Sequence, residues 1–90
     1  MYIAICDDNP DDRTQIGSLL QDYFDKNGYI GELHSYSTGE ALVEAFSAYQ
    51  YDVVFLDIYM DGMDGMKTAG KLRQIDPDFA LIFLTVPVII

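Results

Sequence analysis

FLDIYMDGMDG, residues 55–65, joins a run of apolar residues to a cluster of acids and glycines. The apolar run ends at Asp57, whose carboxylate would lie at the margin of the core. A charge in that position costs free energy unless another group pairs with it. The stretch therefore predicts a buried strand that ends at a site where Asp57 has a partner.

Short apolar runs like this one alternate with segments of helical period along the chain. Residues 2–6, 53–56 and 80–84 are rich in Ile, Val, Phe and Leu, which is typical of parallel strands covered on both faces. Residues 29–36 are mixed in polarity and predict a strand at the sheet edge. His34 in that strand is expected to be solvated, because the sequence shows no partner for it.

Three helices are predicted between the strands. Asn9 caps the first, with Pro10 at its first position and Gly28 at its end. Ser37 and Glu40 form a capping-box pair for the second, and the third covers about residues 65–75 and closes at the Asp76-Pro77 step. The inner faces are expected to carry Ile16, Leu19, Leu20, Tyr23 and Phe24 in the first helix, Ala41, Leu42, Ala45, Phe46 and Tyr49 in the second, and Met66, Ala69 and Leu72 in the third.

The resulting order βαβαβαβ predicts an α/β fold with a doubly wound parallel sheet and right-handed crossovers. Ninety residues provide one core and therefore one domain. Ligands of such sheets bind beyond the carboxyl ends of the strands. The first strand brings Asp7 and Asp8 to that end, the third brings Asp57, and the fourth brings Thr85.

The amino-acid composition indicates which classes of partner and which location suit this chain. Fifteen acids against five bases give a formal charge of −10, which disfavours nucleic acid because phosphate binding needs clustered Lys and Arg. The longest apolar run, residues 79–90, is shorter than the ~20 residues of a membrane-spanning helix, so no membrane segment is expected. The N-terminus does not resemble a secretory signal, and a single cysteine, Cys6, suits a reducing compartment, so a cytoplasmic location is expected.

Three carboxylates from two strand ends repel one another unless a cation neutralises them or their pKa values rise. A site made only of oxygen ligands, with positions left for water and phosphate, favours Mg²⁺ over a protein-caged Ca²⁺. An EF-hand loop is excluded because Tyr59 occupies the third loop position. The plainer alternative is that Asp7 and Asp8 only stabilise the dipole of the first helix, which leaves Asp57 unexplained.

Three segments carry a family resemblance: CDDN at residues 6–9, FLDIYMDGMDG at 55–65 and LIFLT at 81–85. They resemble the signature segments of bacterial two-component response-regulator receiver domains. The acidic, tyrosine-rich sequence is similar to receivers that precede LytTR-type DNA-binding domains. The resemblance covers the chain through about Thr85 and implies a flavodoxin-like (CheY-like) fold with sheet order 2-1-3-4.

The resemblance also implies residue roles. Asp57 matches the phosphoacceptor, with a sensor histidine kinase as phosphodonor, and Thr85 matches the residue that hydrogen-bonds the phosphoryl group. Asp8, Asp57 and the backbone carbonyl of Tyr59 would bind Mg²⁺, and Asp7 would act directly or through water. The domain would be regulatory and not an enzyme, with self-phosphorylation and self-dephosphorylation as its only chemistry.

The loop after the third strand fits this resemblance. Gly62 and Gly65 are expected to provide positive φ angles close to the ligand. Asp64 is predicted to cap the third helix rather than bind metal. Asp61 stands where many receivers have proline.

Receivers of this kind continue into a further helix, strand and helix, whereas this sequence stops at Ile90. Residues 1–90 are therefore expected to form a truncated receiver without an output domain and without the lysine that pairs with the phosphoryl group. An exposed fourth strand and the apolar tail, with Val86, Val88, Ile89 and Ile90, predict a homodimer. The alternative function is a receiver remnant that is never phosphorylated and acts as a dimerisation or inhibitory module.

Overall fold

The computed structural model describes residues 1–84, which form four parallel strands and three helices in the predicted order. The sheet order is β2-β1-β3-β4, which confirms the predicted fold class and topology. The strands are β1 (Tyr2–Cys6), β2 (Glu32–Tyr36), β3 (Val53–Asp57) and β4 (Ala80–Leu84), and the helices are α1 (Pro10–Asn27), α2 (Gly39–Ala45) and α3 (Gly65–Ile75). Thr85 and the tail, residues 86–90, lie outside the described residues.

Alternate side chains of β1 and β3 point to opposite faces of the sheet and build two cores. Ala4, Cys6, Val54 and Leu56 join the larger cluster, which packs against α2 and α3. Ile3, Ile5, Val53 and Phe55 join a smaller cluster that includes Phe24 of α1. Both faces of the central strands are therefore covered, which explains their continuous apolar sequences. Within residues 1–84, each helix is too short or too polar to cross a lipid bilayer.

Helix α1 begins and ends as predicted. The Asn9 side chain accepts hydrogen bonds from the N–H groups of Asp11 and Asp12 at 2.9 and 3.2 Å. Gly28 ends the helix with a φ of 70°. These caps satisfy backbone groups that the helix leaves without partners at its ends.

The buried stripe of α1 is narrower than predicted. Phe24 is buried and Ile16 and Leu20 pack beside it, whereas Leu19 and Tyr23 are 64% and 54% exposed. Residues next to each other in sequence are separated by about 100° around a helix, so Leu19 and Leu20 do not both face the same sheet. The prediction was wrong at Leu19 and Tyr23.

Helix α2 does not use the predicted capping box. Thr38 is the N-cap, and its hydroxyl accepts from the N–H of Ala41 at 3.0 Å. Glu40 is then the second helical residue and not the third, so it does not occupy the capping-box position. Its carboxylate instead accepts a hydrogen bond from the N–H of Met63 at 2.8 Å.

The predicted inner faces of the other helices also need correction. Helix α2 ends at Ala45, so Phe46 is buried beyond the helix, and Ala41, Ala45 and Tyr49 are exposed. In α3, Ala69 and Leu72 are buried as predicted, but Met66 is 60% exposed. The buried face of α3 is centred on Thr68, which an apolar pattern does not identify. The Thr68 hydroxyl is satisfied because it donates to the carbonyl of Asp64 at 2.8 Å.

His34 lies on the edge strand β2, but it has partners, which corrects the expectation that it is merely solvated. Its Nε2 lies 2.9 Å from the Glu32 carboxylate and its Nδ1 lies 2.7 Å from the Tyr51 hydroxyl. Since an ionised carboxylate only accepts, neutral His34 donates through Nε2 and accepts from Tyr51. Tyr51 in turn accepts from Tyr36 at 2.6 Å. Burial raises the pKa of the Tyr51 hydroxyl, so it stays protonated at neutral pH.

Tyr51→Phe tests this hydrogen-bond chain. Removal of the hydroxyl takes away the partner of the Tyr36 hydroxyl and of Nδ1 of His34, and we expect the free energy of unfolding to fall by about 1–2 kcal/mol. Urea unfolding followed by circular dichroism measures the change. Tyr49→Phe is the matched control, because Tyr49 is 77% exposed. Equal stability of the two variants would show that these hydrogen bonds do not contribute to the free energy of unfolding.

Candidate metal centre

Neighbouring strands bring the predicted acids together at the carboxyl end of the sheet. Asp7 and Asp8 follow β1 directly, and Asp57 is the last residue of β3. The two strands pair in parallel, with Cys6 opposite Leu56, so both chains reach the same end of the sheet. One carboxylate oxygen from each of Asp7, Asp8 and Asp57 lies within 4.8 Å of the others. We refer to these three residues as the acid cluster.

Each carboxylate of the acid cluster accepts one backbone hydrogen bond. Asp7 is only 5% exposed and accepts from the N–H of Asn9 at 3.0 Å. Asp57 accepts from Tyr59 at 3.1 Å and Asp8 from Asp61 at 3.2 Å. A carboxylate has about four acceptor positions, so these bonds fix the side chains and leave oxygen lone pairs available to a cation.

Within residues 1–84, no basic side chain forms a salt bridge with a carboxylate of the acid cluster; the Arg13 guanidinium donates instead to the backbone carbonyl of Asp7 at 2.7 Å. In residues 1–84 the Lys26–Asp22 ion pair and the His34–Glu32 contact both lie outside the cluster. Burial raises the pKa of Asp57, the N–H of Tyr59 opposes this, and the charges of Asp7 and Asp8 add to it. The negative charge of the acid cluster therefore favours the binding of a cation or a proton.

The donor set fits a hard divalent cation. All three ligands are carboxylates, and carboxylate oxygens are the ligands that Mg²⁺ prefers in proteins. Asp8 is exposed, so the cluster is open to solvent on one side and can leave positions for water or phosphate. These properties agree better with Mg²⁺, which retains several waters, than with a fully protein-caged ion.

The β3–α3 loop, residues 58–64, lies beside the acid cluster. Gly62 has the predicted positive φ, at 76°. Gly65 does not, which corrects that part of the prediction; it is required because an added Cβ would collide with the backbone carbonyl of Asp57. Asp64 caps α3 as predicted, since its side chain accepts from the N–H of Lys67 at 2.8 Å.

The predicted roles of Tyr59 and Thr85 stay predictions, and one contact in the structure was not predicted. Tyr59 contacts Asp57 through its backbone N–H, and its side chain is 78% exposed, so the role of its carbonyl stays a prediction. Thr85 lies outside the described residues. Sequence patterns did not reveal the contact of Glu40 with Met63 in the β3–α3 loop, because it joins segments 23 residues apart.

The chain is similar to several known proteins. A model of the response regulator receiver domain matches residues 3–88. The chain is 34% identical over 85 residues to the transcriptional regulatory protein RprY of Bacteroides fragilis, which covers 94% of this chain and 34% of that protein. It is 33% identical over 87 residues to the sensory transduction protein LytT of Oceanobacillus iheyensis, with the same coverage of 94% and 34%. The chain thus spans about a third of the length of these two relatives.

A solved structure is similar as well. A chain in the crystal structure of histidine kinase ThkA in complex with response regulator protein TrrA superposes with a TM-score of 0.66 at 33% sequence identity. The superposition covers 94% of this chain and 68% of that chain.

Asp57→Asn tests the electrostatics of the acid cluster in the presence of a chelator. Because the substitution removes a partly buried charge that two neighbouring carboxylates repel, we expect the free energy of unfolding to rise at neutral pH, by about 1 kcal/mol or less in this solvent-screened site. Denaturant unfolding measures the change. Asp61→Asn is the matched control, since the Asp61 side chain is not part of the acid cluster.

The difference in stability between Asp57→Asn and the unsubstituted protein should depend on pH, and the pKa of Asp57 defines the sign of that dependence. The folded-state pKa of Asp57 is raised above its ordinary value of 3.8, so the folded protein binds this proton more tightly than the unfolded chain does. The contribution of Asp57 to the free energy of unfolding therefore falls as pH rises through this raised pKa. The advantage of Asp57→Asn should be present at neutral pH and disappear below about pH 4. An advantage that is constant with pH would contradict the electrostatic explanation.

Proposed function

The chain belongs to the response regulator receiver domain family, and from this premise we propose that it is a phosphoacceptor module of a two-component system. In this proposal a histidine kinase phosphorylates Asp57 while Mg²⁺ is bound at the acid cluster. The observation that carries the proposal is the convergence of Asp7, Asp8 and Asp57, whose oxygens lie within 4.8 Å of one another at the carboxyl end of the sheet. The similarity to LytT agrees with the predicted resemblance to receivers of LytTR-type regulators.

Asp57 is the proposed nucleophile. One carboxylate oxygen forms a bond to phosphorus while the bond from phosphorus to the kinase histidine breaks, and the imidazole leaves with the electron pair and takes up a proton. The N–H of Tyr59 donates to Oδ1 of Asp57 at 3.1 Å, which orients the carboxylate and leaves Oδ2 as the attacking oxygen. Asp57 lies at the end of a rigid strand, so its position is set by the packing of the sheet.

The metal ligands in this proposal are Asp7, Asp8, Asp57 and the backbone carbonyl of Tyr59. Bound Mg²⁺ supplies positive charge that offsets the repulsion between the acid cluster and an incoming phosphoryl group. Asp7, which is 5% exposed, would hold its position because Asn9 donates to it. Thr85 is proposed to hydrogen-bond the phosphoryl group, on the strength of the sequence resemblance alone.

The remaining parts of the proposal concern partners and role. The structure of a histidine kinase in complex with a response regulator supports a sensor histidine kinase as phosphodonor. We propose a regulatory rather than an enzymatic role, because the chemistry assigned to Asp57 is limited to accepting and losing one phosphoryl group. Cys6 is a free, buried thiol, which fits the reducing cytoplasm that the proposal assumes.

Phosphorylation of Asp57 is tested with acetyl phosphate and Mg²⁺. We expect one added phosphoryl group by intact-mass spectrometry, and we expect Asp57→Asn and samples treated with a chelator to show none. Asp61→Asn, a neighbouring acid outside the acid cluster, should be modified as the unsubstituted chain is. A chain that binds Mg²⁺ and gains no phosphoryl group from acetyl phosphate or from a histidine kinase would favour the alternative of a non-phosphorylated interaction module.

A homodimer is a further part of the proposal. In residues 1–84, β4 pairs with β3 on one side, and Ile82 on β4 is 44% exposed. A strand edge with an exposed apolar side chain is a surface that a second copy of the same strand can cover.

Size-exclusion chromatography with light scattering tests the homodimer. We expect twice the chain mass at tens of micromolar, and a monomer for Ile82→Lys, which places a charge in the proposed interface. Ile75→Lys, an exposed apolar position on α3, is the control and should remain dimeric. A monomeric unsubstituted chain under these conditions would remove this part of the proposal.

A further inference from the structure

Three alternate N–H groups of the β3–α3 loop each donate to a different carboxylate. The pairs are Tyr59 with Asp57 at 3.1 Å, Asp61 with Asp8 at 3.2 Å, and Met63 with Glu40 at 2.8 Å. Two of these carboxylates belong to the acid cluster. The third, Glu40, lies on α2 and is outside it.

We propose that Glu40 is a positioning residue for the metal site, a role that rests on the proposed function. Its carboxylate stabilises the β3–α3 loop in the conformation that places the N–H groups of Tyr59 and Asp61 against the acid cluster. Glu40 therefore acts through the loop and not by contact with the cation or with phosphate.

The residues around Glu40 leave space for its contact with the β3–α3 loop. Thr38 takes the N-cap position, so Glu40 is not used in a capping box and extends toward the loop. A Cβ added to Gly62 would lie 2.9 Å from the Glu40 carboxylate, and the φ of Gly62 is 76°. Glycine at this position therefore provides both the space for the carboxylate and the backbone turn that directs the Met63 N–H to it.

Packing at the start of α2 brings the two segments together. Gly39 is buried, and a Cβ added there would collide with the Thr68 hydroxyl and would lie 3.1 Å from the carbonyl of Met63. The first turn of α2 thus lies directly against the end of the β3–α3 loop. Glu40 is held beside the loop by this contact of helix with backbone, which supports a fixed rather than an occasional hydrogen bond.

Glu40 differs from the other two acceptors in what cation binding does to it. Asp8 and Asp57, which accept from Asp61 and Tyr59, belong to the acid cluster and would themselves bind the cation. The bond from Met63 to Glu40 is charge-assisted and independent of the site. Without it, cation binding must also order the loop, and the conformational entropy lost in doing so lowers the affinity.

Mg²⁺ titration of the full chain, followed by calorimetry, tests this role. We expect Glu40→Ala and Glu40→Asp to weaken Mg²⁺ binding about tenfold, as is typical when a group that supports metal ligands is removed. Glu40→Asp keeps the charge but is one methylene shorter, so it is decisive even if Glu40→Ala does not fold. Glu40→Gln keeps an acceptor oxygen and should remain within about threefold of the unsubstituted chain.

Glu44→Ala is the matched control, since Glu44 is an exposed acid on the same helix and should leave Mg²⁺ binding unchanged. Unchanged binding in Glu40→Ala or Glu40→Asp would overturn the proposal. An equal loss in Glu40→Gln and Glu40→Ala would also overturn it, because the charge of Glu40 and not its hydrogen bond would then be responsible.

Amide hydrogen exchange without metal separates this proposal from the proposed function. The N–H of Met63 should exchange several times faster in Glu40→Ala than in the unsubstituted chain, and close to the unsubstituted rate in Glu40→Gln. Unchanged exchange in Glu40→Ala would overturn the role of Glu40 even if Mg²⁺ binds. A chain that shows the expected exchange but does not bind Mg²⁺ would instead refute the metal site and leave the loop contact established.

Discussion

Repulsion among the three carboxylates is the constraint on which the rest of the structure depends. The acid cluster confines their oxygens within 4.8 Å, and the pKa of Asp57 is raised as a result of burial and of its neighbours' charges. A fold keeps such an arrangement only if other interactions hold the residues in place, since separation of the acids would lower the electrostatic energy. The sheet supplies these interactions: the strands that carry the acids are the two central strands, and both their faces are buried.

The backbone around the acid cluster is organised by the same charges. Asp7 and Asp57 each accept from an N–H two residues further along and so order a turn, whereas Asp8 accepts from Asp61 in another loop. Asp8 joins the loop after β1 to the β3–α3 loop, and Glu40 joins the β3–α3 loop to α2. A positive charge bound at the cluster would therefore affect both of these loops and not only one side chain.

Sequence patterns predicted the elements of this fold and the convergence of the acid cluster, because both depend on local rules. Continuous apolar runs predict β1, β3 and β4, and the acids that follow them reach one end of the sheet whenever the strands are parallel. Contacts between segments distant in sequence were not predictable in this way. The hydrogen bonds from His34 through Tyr51 to Tyr36, and from Met63 to Glu40, join polar residues whose pairing is set by packing. Thr68 at the centre of the buried face of α3 shows a different limit: its partner, the carbonyl of Asp64, is only four residues away, but an apolar pattern does not identify a buried hydroxyl.

The buried residues next to the acid cluster explain why its charges are only weakly screened. Cys6 precedes Asp7 and is fully buried, with its Sγ 3.7 Å from the Sδ of Met60. Burial, together with the charges of Asp7 and Asp57, raises the pKa of the Cys6 thiol to about 12, so the thiol adds no further negative charge at neutral pH. Sulfur and hydrocarbon beneath the cluster provide little dielectric screening, and the solvent on the open side provides most of it. In the proposed metal site a dication would enter from that side, and its charge would offset both the desolvation of Asp57 and the repulsion by Asp7 and Asp8.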